Sequence, residues 1–175
     1  QLFEQGLKEL NMTPAQVKLH LLVDENGTGK KEAEFYQSQW KDKLGIDVQV
    51  EVLTKKERIA RAKAGQFEIV RYAWGPDYAD PMTYLEIFHS KAKDINFAKY
   101  SDPKYDELVD LAKVNQDNKA RMDAMKQAEK ILSDNFTYSA LYYEVGVYLI
   151  NPKLKGVVIR SVGDSIDFYN ASITK

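Results

Sequence analysis

Strands and helices alternate through the first half of this 175-residue chain, and this alternation constrains the fold more than any other feature. Apolar, β-branched runs at 17–23, 46–53 and 67–74 have the composition of strands. Between them, residues 31–44 and 54–65 show the apolar spacing and the end signals of helices. Helical crossovers of this length connect parallel strands. The sequence therefore predicts an α/β fold, with a sheet flanked by helices.

The second half of the chain predicts helices followed by strands. A short helix begins at Pro81 with Asp80 as its cap, and longer helices begin at Pro103 and at about Asn118. We expect the two longer helices to pair as a hairpin that covers a face of the sheet. Two Tyr-rich, β-branched runs within residues 138–150 have the composition of further strands.

Composition excludes several classes of function. The 25 Lys and Arg residues are balanced by 26 Asp and Glu residues, which leaves no basic surface for nucleic acid. The chain contains no cysteine, so disulfides, thiolate metal sites and a cysteine nucleophile are excluded. No apolar run reaches the roughly 18 residues that span a membrane. The first residues lack both an initiator Met and a signal-peptide pattern, which indicates a processed chain or an excised piece.

A short stretch between the third strand and the next helix has the composition of a binding site. This stretch, the Trp74 turn, comprises residues 71–81 (RYAWGPDYADP). In open α/β sheets, ligands bind at the carboxyl ends of the strands. The carboxylate of Asp77 and the ring face of Trp74 would suit an ammonium group. Arg71 either neutralises Asp77 or meets a ligand carboxylate, and spacing does not decide between these roles. A surface turn with one core tryptophan is the alternative.

Other chemistries fit the sequence poorly. The loop at 24–30 joins a strand to a helix but lacks two of the residues that a P-loop requires. His20, in an apolar strand, and His89, at a helix end, have no spaced partner, so a zinc site is not expected. Asp77 and Asp80 as a carboxylate pair for hydrolysis remain the enzymatic alternative.

Five segments of the chain form a series whose order and spacing are distinctive. They are residues 74–81 with Tyr84, Leu85 and Phe88 after them, 40–48 (WKDKLGIDV), 65–69 (GQFEI), 100–108 (YSDPKYDEL) and 121–132. The series resembles the C-terminal lobe of the family 5 extracellular solute-binding proteins. That family includes the oligopeptide- and dipeptide-binding components of ABC importers.

The resemblance implies a partial lobe of the type II periplasmic-binding-protein fold, with ligand binding and neither catalysis, cofactor nor metal. Asp77 maps onto the aspartate that pairs with the ligand's N-terminal ammonium. Trp74 and Gly75 map onto the pocket wall, and Tyr78 lies in the same matching stretch. Arg71 maps onto a basic residue that faces the ligand in some members of the family.

The resemblance also implies partners and a location. These are a peptide ligand, the permease subunits of an ABC transporter, and an extracytoplasmic site, either as a cell-surface lipoprotein or in the periplasm. The full-length protein would then be anchored to the membrane, with no nucleic-acid partner. A receptor for signal or pheromone peptides on the same scaffold is the alternative.

The family's pattern further divides the chain into two parts. Residues 1–144 would belong to the ligand-binding lobe, and residues 145–175 would cross back to an N-terminal lobe that this chain lacks. We expect that tail to be repositioned, paired within the chain or held by another copy.

Overall fold

A computed structural model describes residues 1–163 and 165–174. The helices and strands are α1 (Leu2–Glu9), β1 (Lys18–Asp24), α2 (Gly29–Leu44), β2 (Asp47–Leu53), α3 (Lys55–Ala64), β3 (Ile69–Val70), α4 (Met82–Leu85), α5 (Pro103–Val114), α6 (Asn118–Asp134), β4 (Leu154–Lys155), β5 (Val158–Ile159), β6 (Ile166–Asp167) and β7 (Ser172–Ile173), with 3₁₀ turns at Pro14–Gln16 and Glu86–Phe88. They form two compact units, Gln1–Ala73 and the described residues from Trp74 onward. None of the helices in the described ranges is long and apolar enough to cross a membrane.

The first unit is built on a three-stranded parallel sheet in the order β2-β1-β3, which confirms the predicted parallel arrangement. The central strand β1 pairs with β2 along its whole length and with the short β3 through Leu21 and Leu22. Leu22 and Val23 are fully buried, as expected for a strand with neighbours on both sides. Because the strands are parallel, their carboxyl ends lie at one edge of the sheet.

The end of α2 and both ends of α3 lie at the residues that the sequence predicted, whereas α2 begins at Gly29, two residues before its predicted start. Thr54 caps α3, since its hydroxyl accepts the backbone N–H of Glu57 at 3.2 Å. Gly45 and Gly65 end α2 and α3 in the left-handed conformation, at φ values of 69° and 71°, which glycine adopts without a steric penalty. Apolar residues of α2 pack against β1 and β2 around a core that includes Ala33.

The prediction of a third strand over 67–74 is wrong in its length. Strand β3 covers only Ile69–Val70. One further hydrogen bond continues the ladder, from the Arg71 N–H to the Leu22 carbonyl at 3.0 Å. The chain then leaves the sheet towards Gly75-Pro76, where a proline without an N–H cannot donate to a ladder.

The second unit is organised around the helical hairpin of α5 and α6, which confirms the predicted pairing of these two helices. Its core is formed by Met82, Leu85, Tyr105, Val109, Ala112, Ala124, Met125, Ala128 and Leu132. Tyr105 is the largest fully buried side chain, and its hydroxyl donates to the Leu85 carbonyl at 2.5 Å. This buried hydrogen bond joins α5 to the end of α4.

The prediction of strands at 138–143 and 145–150 is wrong, because residues 138–150 contain neither a helix nor a strand. Tyr143 is 98% exposed and Leu149 is 100% exposed. Strand-forming composition expresses a fit to a half-buried pleated surface, and here no neighbouring strand supplies that surface. Further along, β4 pairs with β7 and β5 pairs with β6, both antiparallel, so the tail pairs within the chain.

An ion pair fastens the start of α4 to α6. Both carboxylate oxygens of Asp80 lie 2.8 Å from the guanidinium nitrogens of Arg121. One of these oxygens also accepts the Met82 N–H at 2.9 Å. The predicted helix start at Pro81 with Asp80 as its cap is wrong by one residue, because α4 begins at Met82 and Pro81 lies at the cap position. Hydrogen bonds from Arg121, supported by the Met82 N–H, lower the pKa of Asp80 below its usual value.

We expect the substitution Tyr105→Phe to lower the free energy of unfolding by about 1–2 kcal/mol, because the Leu85 carbonyl would stay buried without its donor. Urea denaturation measures this change. Tyr84→Phe is the matched control, since Tyr84 is 44% exposed. Equal effects of the two substitutions would contradict the structural role of the Tyr105 hydroxyl.

We expect Asp80→Asn to destabilise the protein by about 1–2 kcal/mol at neutral pH, because it breaks a charge-assisted pair. The pKa of Asp80 is lowered by folding, so its contribution is complete above the unfolded pKa of about 3.9 and is lost as pH falls through the lower folded pKa. Denaturation at several pH values should therefore show the difference between wild type and variant shrinking in acid.

The variant Arg121→Gln provides the control for this pH dependence. In that background Asp80→Asn should cost much less at neutral pH, because the guanidinium that lowers the carboxyl pKa is gone. A difference between wild type and Asp80→Asn that stays constant from neutral to acid pH would contradict the ion pair as its source.

Candidate functional site

The Trp74 turn begins in one unit and continues in the other. Arg71 belongs to the first unit, at the carboxyl end of β3. Trp74, Gly75, Asp77 and Tyr78 belong to the second unit, at the approach to α4. Within the second unit, the structure places these four predicted residues side by side on one loop.

Asp77 is exposed, and its backbone is held in place. Its N–H donates to the hydroxyl of Thr83 at 3.1 Å, and Thr83 is only 1% exposed. Within residues 1–163 and 165–174, the Asp77 carboxylate makes no hydrogen bond or ion pair. The loop therefore presents this carboxylate to solvent from a fixed position.

The neighbouring carboxylate of Asp80 is used differently. It accepts hydrogen bonds from Arg121 and from the Met82 N–H, and it is largely covered. The two acidic residues that the sequence placed on one turn thus have separate tasks. Asp80 holds the loop, whereas the side chain of Asp77 is exposed to solvent.

Trp74 and Gly75 form the part of the loop that precedes Asp77. The Trp74 side chain is half-buried and Gly75 is exposed. A Cβ at Gly75 would have no described atom within 4 Å, so packing inside the described chain does not require glycine at this position. The Pro76 carbonyl accepts the N–H of Gly163 at 3.4 Å, which links the loop to the tail.

Tyr78 points its hydroxyl at the next helical turn. The hydroxyl donates to the Glu86 carboxylate at 2.6 Å, and Glu86 also lies 3.4 Å from the ammonium nitrogen of Lys113. Burial of the phenol, together with this carboxylate, raises the pKa of Tyr78, so the hydroxyl stays protonated at physiological pH. Tyr78 thus extends the support of the loop to α5.

Arg71 pairs with a residue that the sequence did not indicate. Its Nε lies 2.7 Å from Glu32 Oε2, and its second contact, from Nη2 to Oε1, measures 3.4 Å. Glu32 lies in the first turn of α2, 39 residues away along the chain, and no local pattern announces the pairing. Glu32 therefore neutralises Arg71. The sequence alone indicates only Asp77 as a carboxylate that Arg71 could neutralise.

A second arginine lies at the same edge of the sheet. Arg58, on α3, is 4% exposed and donates from Nε to the Asp24 carboxylate at 2.7 Å. Its guanidinium carbon lies 5.0 Å from the ring centre of Tyr72, within the range of a cation–π interaction. This pair joins the end of β1 to α3 and to the residue that follows Arg71.

The two histidines have structural partners. His20 lies on the sheet with its Nδ1 2.8 Å from Glu68, and this contact lowers the pKa of the Glu68 carboxyl. His89 is buried, with Nε2 3.2 Å from Asp110. Across the described ranges, no group of three or more His, Asp or Glu side chains is arranged to hold a metal ion.

Comparison with known proteins identifies the family. The family model described as "Bacterial extracellular solute-binding proteins, family 5 Middle" matches residues 2–96. The dipeptide-binding protein DppE of Bacillus subtilis is 33% identical over 165 residues, which is 93% of this chain and 30% of that protein. The chain therefore spans about a third of the length of the relatives that it matches.

Solved structures agree in fold. The substrate-binding domain of an oligopeptide ABC transporter from Bacillus anthracis matches with a TM-score of 0.88 and 31% identity, over 99% of this chain and 34% of that one. The peptide-binding pheromone receptor PrgZ matches with a TM-score of 0.79 and 28% identity, over 99% and 33%. The predicted fold, a partial lobe of the type II periplasmic-binding-protein class, is confirmed. The chain belongs to the family 5 bacterial extracellular solute-binding proteins.

Proposed function

We propose that the protein containing this chain captures peptides outside the cytoplasm and delivers them to the permease subunits of an ABC importer. The relatives named as dipeptide- and oligopeptide-binding proteins support a peptide as the ligand. The remaining part of the cleft would come from a lobe that this chain does not contain. Capture would be a binding function, with no chemical step and no cofactor.

The exposed carboxylate of Asp77 carries this proposal. A ligand ammonium would make a charge-assisted hydrogen bond with it, and no described cation competes for the position. The buried Thr83 hydroxyl fixes the Asp77 backbone, so less conformational entropy is lost when the ligand binds. A peptide with a free amino terminus has the matching charge.

The other residues of the turn would shape the space around this contact. Trp74 would supply an apolar wall and a ring face for the ammonium group. Gly75, which has open space beside it, would allow the ligand backbone to approach the loop closely. Tyr78 would hold the loop through Glu86, and Arg71 would meet a ligand carboxylate.

The geometry disfavours the enzymatic alternative. Paired carboxylates in glycoside hydrolysis need one group that donates a proton and one that attacks or activates water. Asp80 is held as a carboxylate by Arg121, which lowers its pKa, so it cannot supply a proton near neutral pH. We therefore propose binding without catalysis.

We propose that residues 145–175 pack against the N-terminal lobe, which this chain does not contain. The stretch 141–150 carries apolar side chains that are almost fully exposed, including Tyr143, Val145, Val147 and Leu149. A sheet in the missing lobe would supply the pairing that their composition favours. An extracytoplasmic location, with the full-length protein anchored as a lipoprotein or held in the periplasm, completes this proposal.

A receptor for signal peptides is the second candidate function. The similarity to the pheromone receptor PrgZ, with a TM-score of 0.79, favours it. Both functions would use Asp77 in the same way, so the turn does not separate them. Affinity for a panel of unrelated peptides would do so, because a nutrient importer binds many sequences and a signal receptor discriminates among them.

The substitution Asp77→Asn in the full-length protein should weaken binding of peptides with a free amino terminus by about 2–4 kcal/mol, because a desolvated ammonium would lose its counter-charge. Isothermal titration calorimetry measures this loss. N-acetylated forms of the same peptides lack the ammonium group, so the substitution should change their affinity much less.

The variant Asp42→Asn is the matched control for overall charge, since Asp42 is exposed on α2 and lies in the other unit. It should leave the affinity for both forms of the peptide unchanged. If Asp77→Asn weakens the free and the acetylated peptides equally, Asp77 does not recognise the ammonium group.

The packing of the tail has its own test. In the full-length protein, Leu149→Asn should lower the free energy of unfolding by about 2–4 kcal/mol if Leu149 is buried against the other lobe. Val114→Asn is the control, because Val114 is also an exposed apolar residue, at 77%, and lies at the end of α5. A loss at Leu149 no larger than the loss at Val114, measured by urea denaturation, would contradict this role of the tail.

A further inference from the structure

The carboxyl edge of the parallel sheet carries two arginines, and each faces a carboxylate of the same chain. Arg58 pairs with Asp24 and is 4% exposed, so it is enclosed by the protein. Arg71 pairs with Glu32, and its side chain is 17% exposed. Ligands of open α/β folds bind at this edge. Of these two arginine side chains, that of Arg58 is enclosed, whereas that of Arg71 is partly exposed to solvent.

We infer that Glu32 is a specificity-determining residue, which occupies Arg71 and so sets how strongly the site favours a ligand carboxylate. This inference rests on the proposed function, because the ligand in question is the C-terminal carboxylate of a bound peptide. Glu32 lies outside the Trp74 turn, and no local sequence pattern indicates that it pairs with Arg71.

The geometry of the pair supports this role. The Glu32 oxygens lie 2.7 Å from Nε and 3.4 Å from Nη2, so one side of the guanidinium fork faces an internal carboxylate. The Thr28 hydroxyl also donates to Glu32, which holds this carboxylate at the start of α2. Glu32 is only 18% exposed, so solvent screens its charge weakly.

The consequence for a ligand follows from charge. A peptide carboxylate that approaches Arg71 meets a guanidinium whose charge Glu32 already balances, and it meets a like charge beside it. Such a site gives little preference for a free carboxylate over a neutral amide. Discrimination through an internal charge of this kind is a known route to specificity.

The experiment compares peptides with a free C-terminal carboxylate and the same peptides with a C-terminal amide, across a short series of lengths. The full-length protein is titrated by calorimetry, and the ratio of the two affinities is the readout. For the length whose C-terminus lies at Arg71, Glu32→Gln should raise the preference for the free acid by about tenfold, which corresponds to about 1.4 kcal/mol.

A set of variants that differ in charge at positions 32 and 71 makes the test independent of whether any one variant is stable. Arg71→Gln removes the guanidinium charge and keeps the Glu32 carboxylate, so it should lower the preference for the acid below that of wild type. The double variant Glu32→Gln with Arg71→Gln should return it close to the wild-type value, and Glu32→Asp, which keeps the charge, should stay near it. Glu34→Gln is the control, because Glu34 lies on the same helix with an exposed pair to Lys30.

The outcomes separate this inference from the proposed function. If wild type binds peptides but the ratio of acid to amide affinity is the same in all variants at every length, Glu32 has no role in specificity and the proposed function stands. If wild type binds no peptide in either form, both proposals fail. The ordered series, with Glu32→Gln above wild type and Arg71→Gln below it, supports the inference.

Discussion

The hydrogen bonding of β1 on both of its edges is the constraint on which the first unit depends. Because β1 is paired along its length with β2 and briefly with β3, its side chains from Leu21 to Val23 are buried. Parallel pairing also brings the strand ends to one edge of the sheet. This arrangement places Asp24 and Arg71 at that edge. The chain also leaves the sheet there and continues into the Trp74 turn.

Arginine–carboxylate pairs then decide which charges remain for a ligand. Glu32 meets Arg71 in the first unit, and Asp80 meets Arg121 in the second. These pairs are partly covered, so removing one partner would leave a poorly solvated charge. Asp77 lies beside one such pair but takes no part in it. The contrast between an engaged and an available carboxylate on one loop is the main reason for proposing an ammonium-binding role for Asp77.

The sequence and the structure differ most at residues 138–150. Their aromatic and β-branched composition indicates strands, yet the described chain forms none there. Propensity records how well a side chain suits a pleated surface, whereas a strand also requires hydrogen bonds from a neighbour. The same limit explains why β3 is shorter than its apolar run. In both places the residues are suited to a strand, but whether a strand forms depends on a neighbouring strand that can hydrogen-bond to it.

The sequence by itself determined the local features: the helix cap at Thr54, the glycine ends of α2 and α3, the α/β alternation and the residues of the Trp74 turn. These depend on interactions between residues close together in the chain. Only the tertiary structure decided that Arg71 faces Glu32 and that Asp80 faces Arg121, pairs separated by 39 and 41 residues. Long-range ion pairs leave no periodic or local signal, because they depend on which surfaces the packed core brings together.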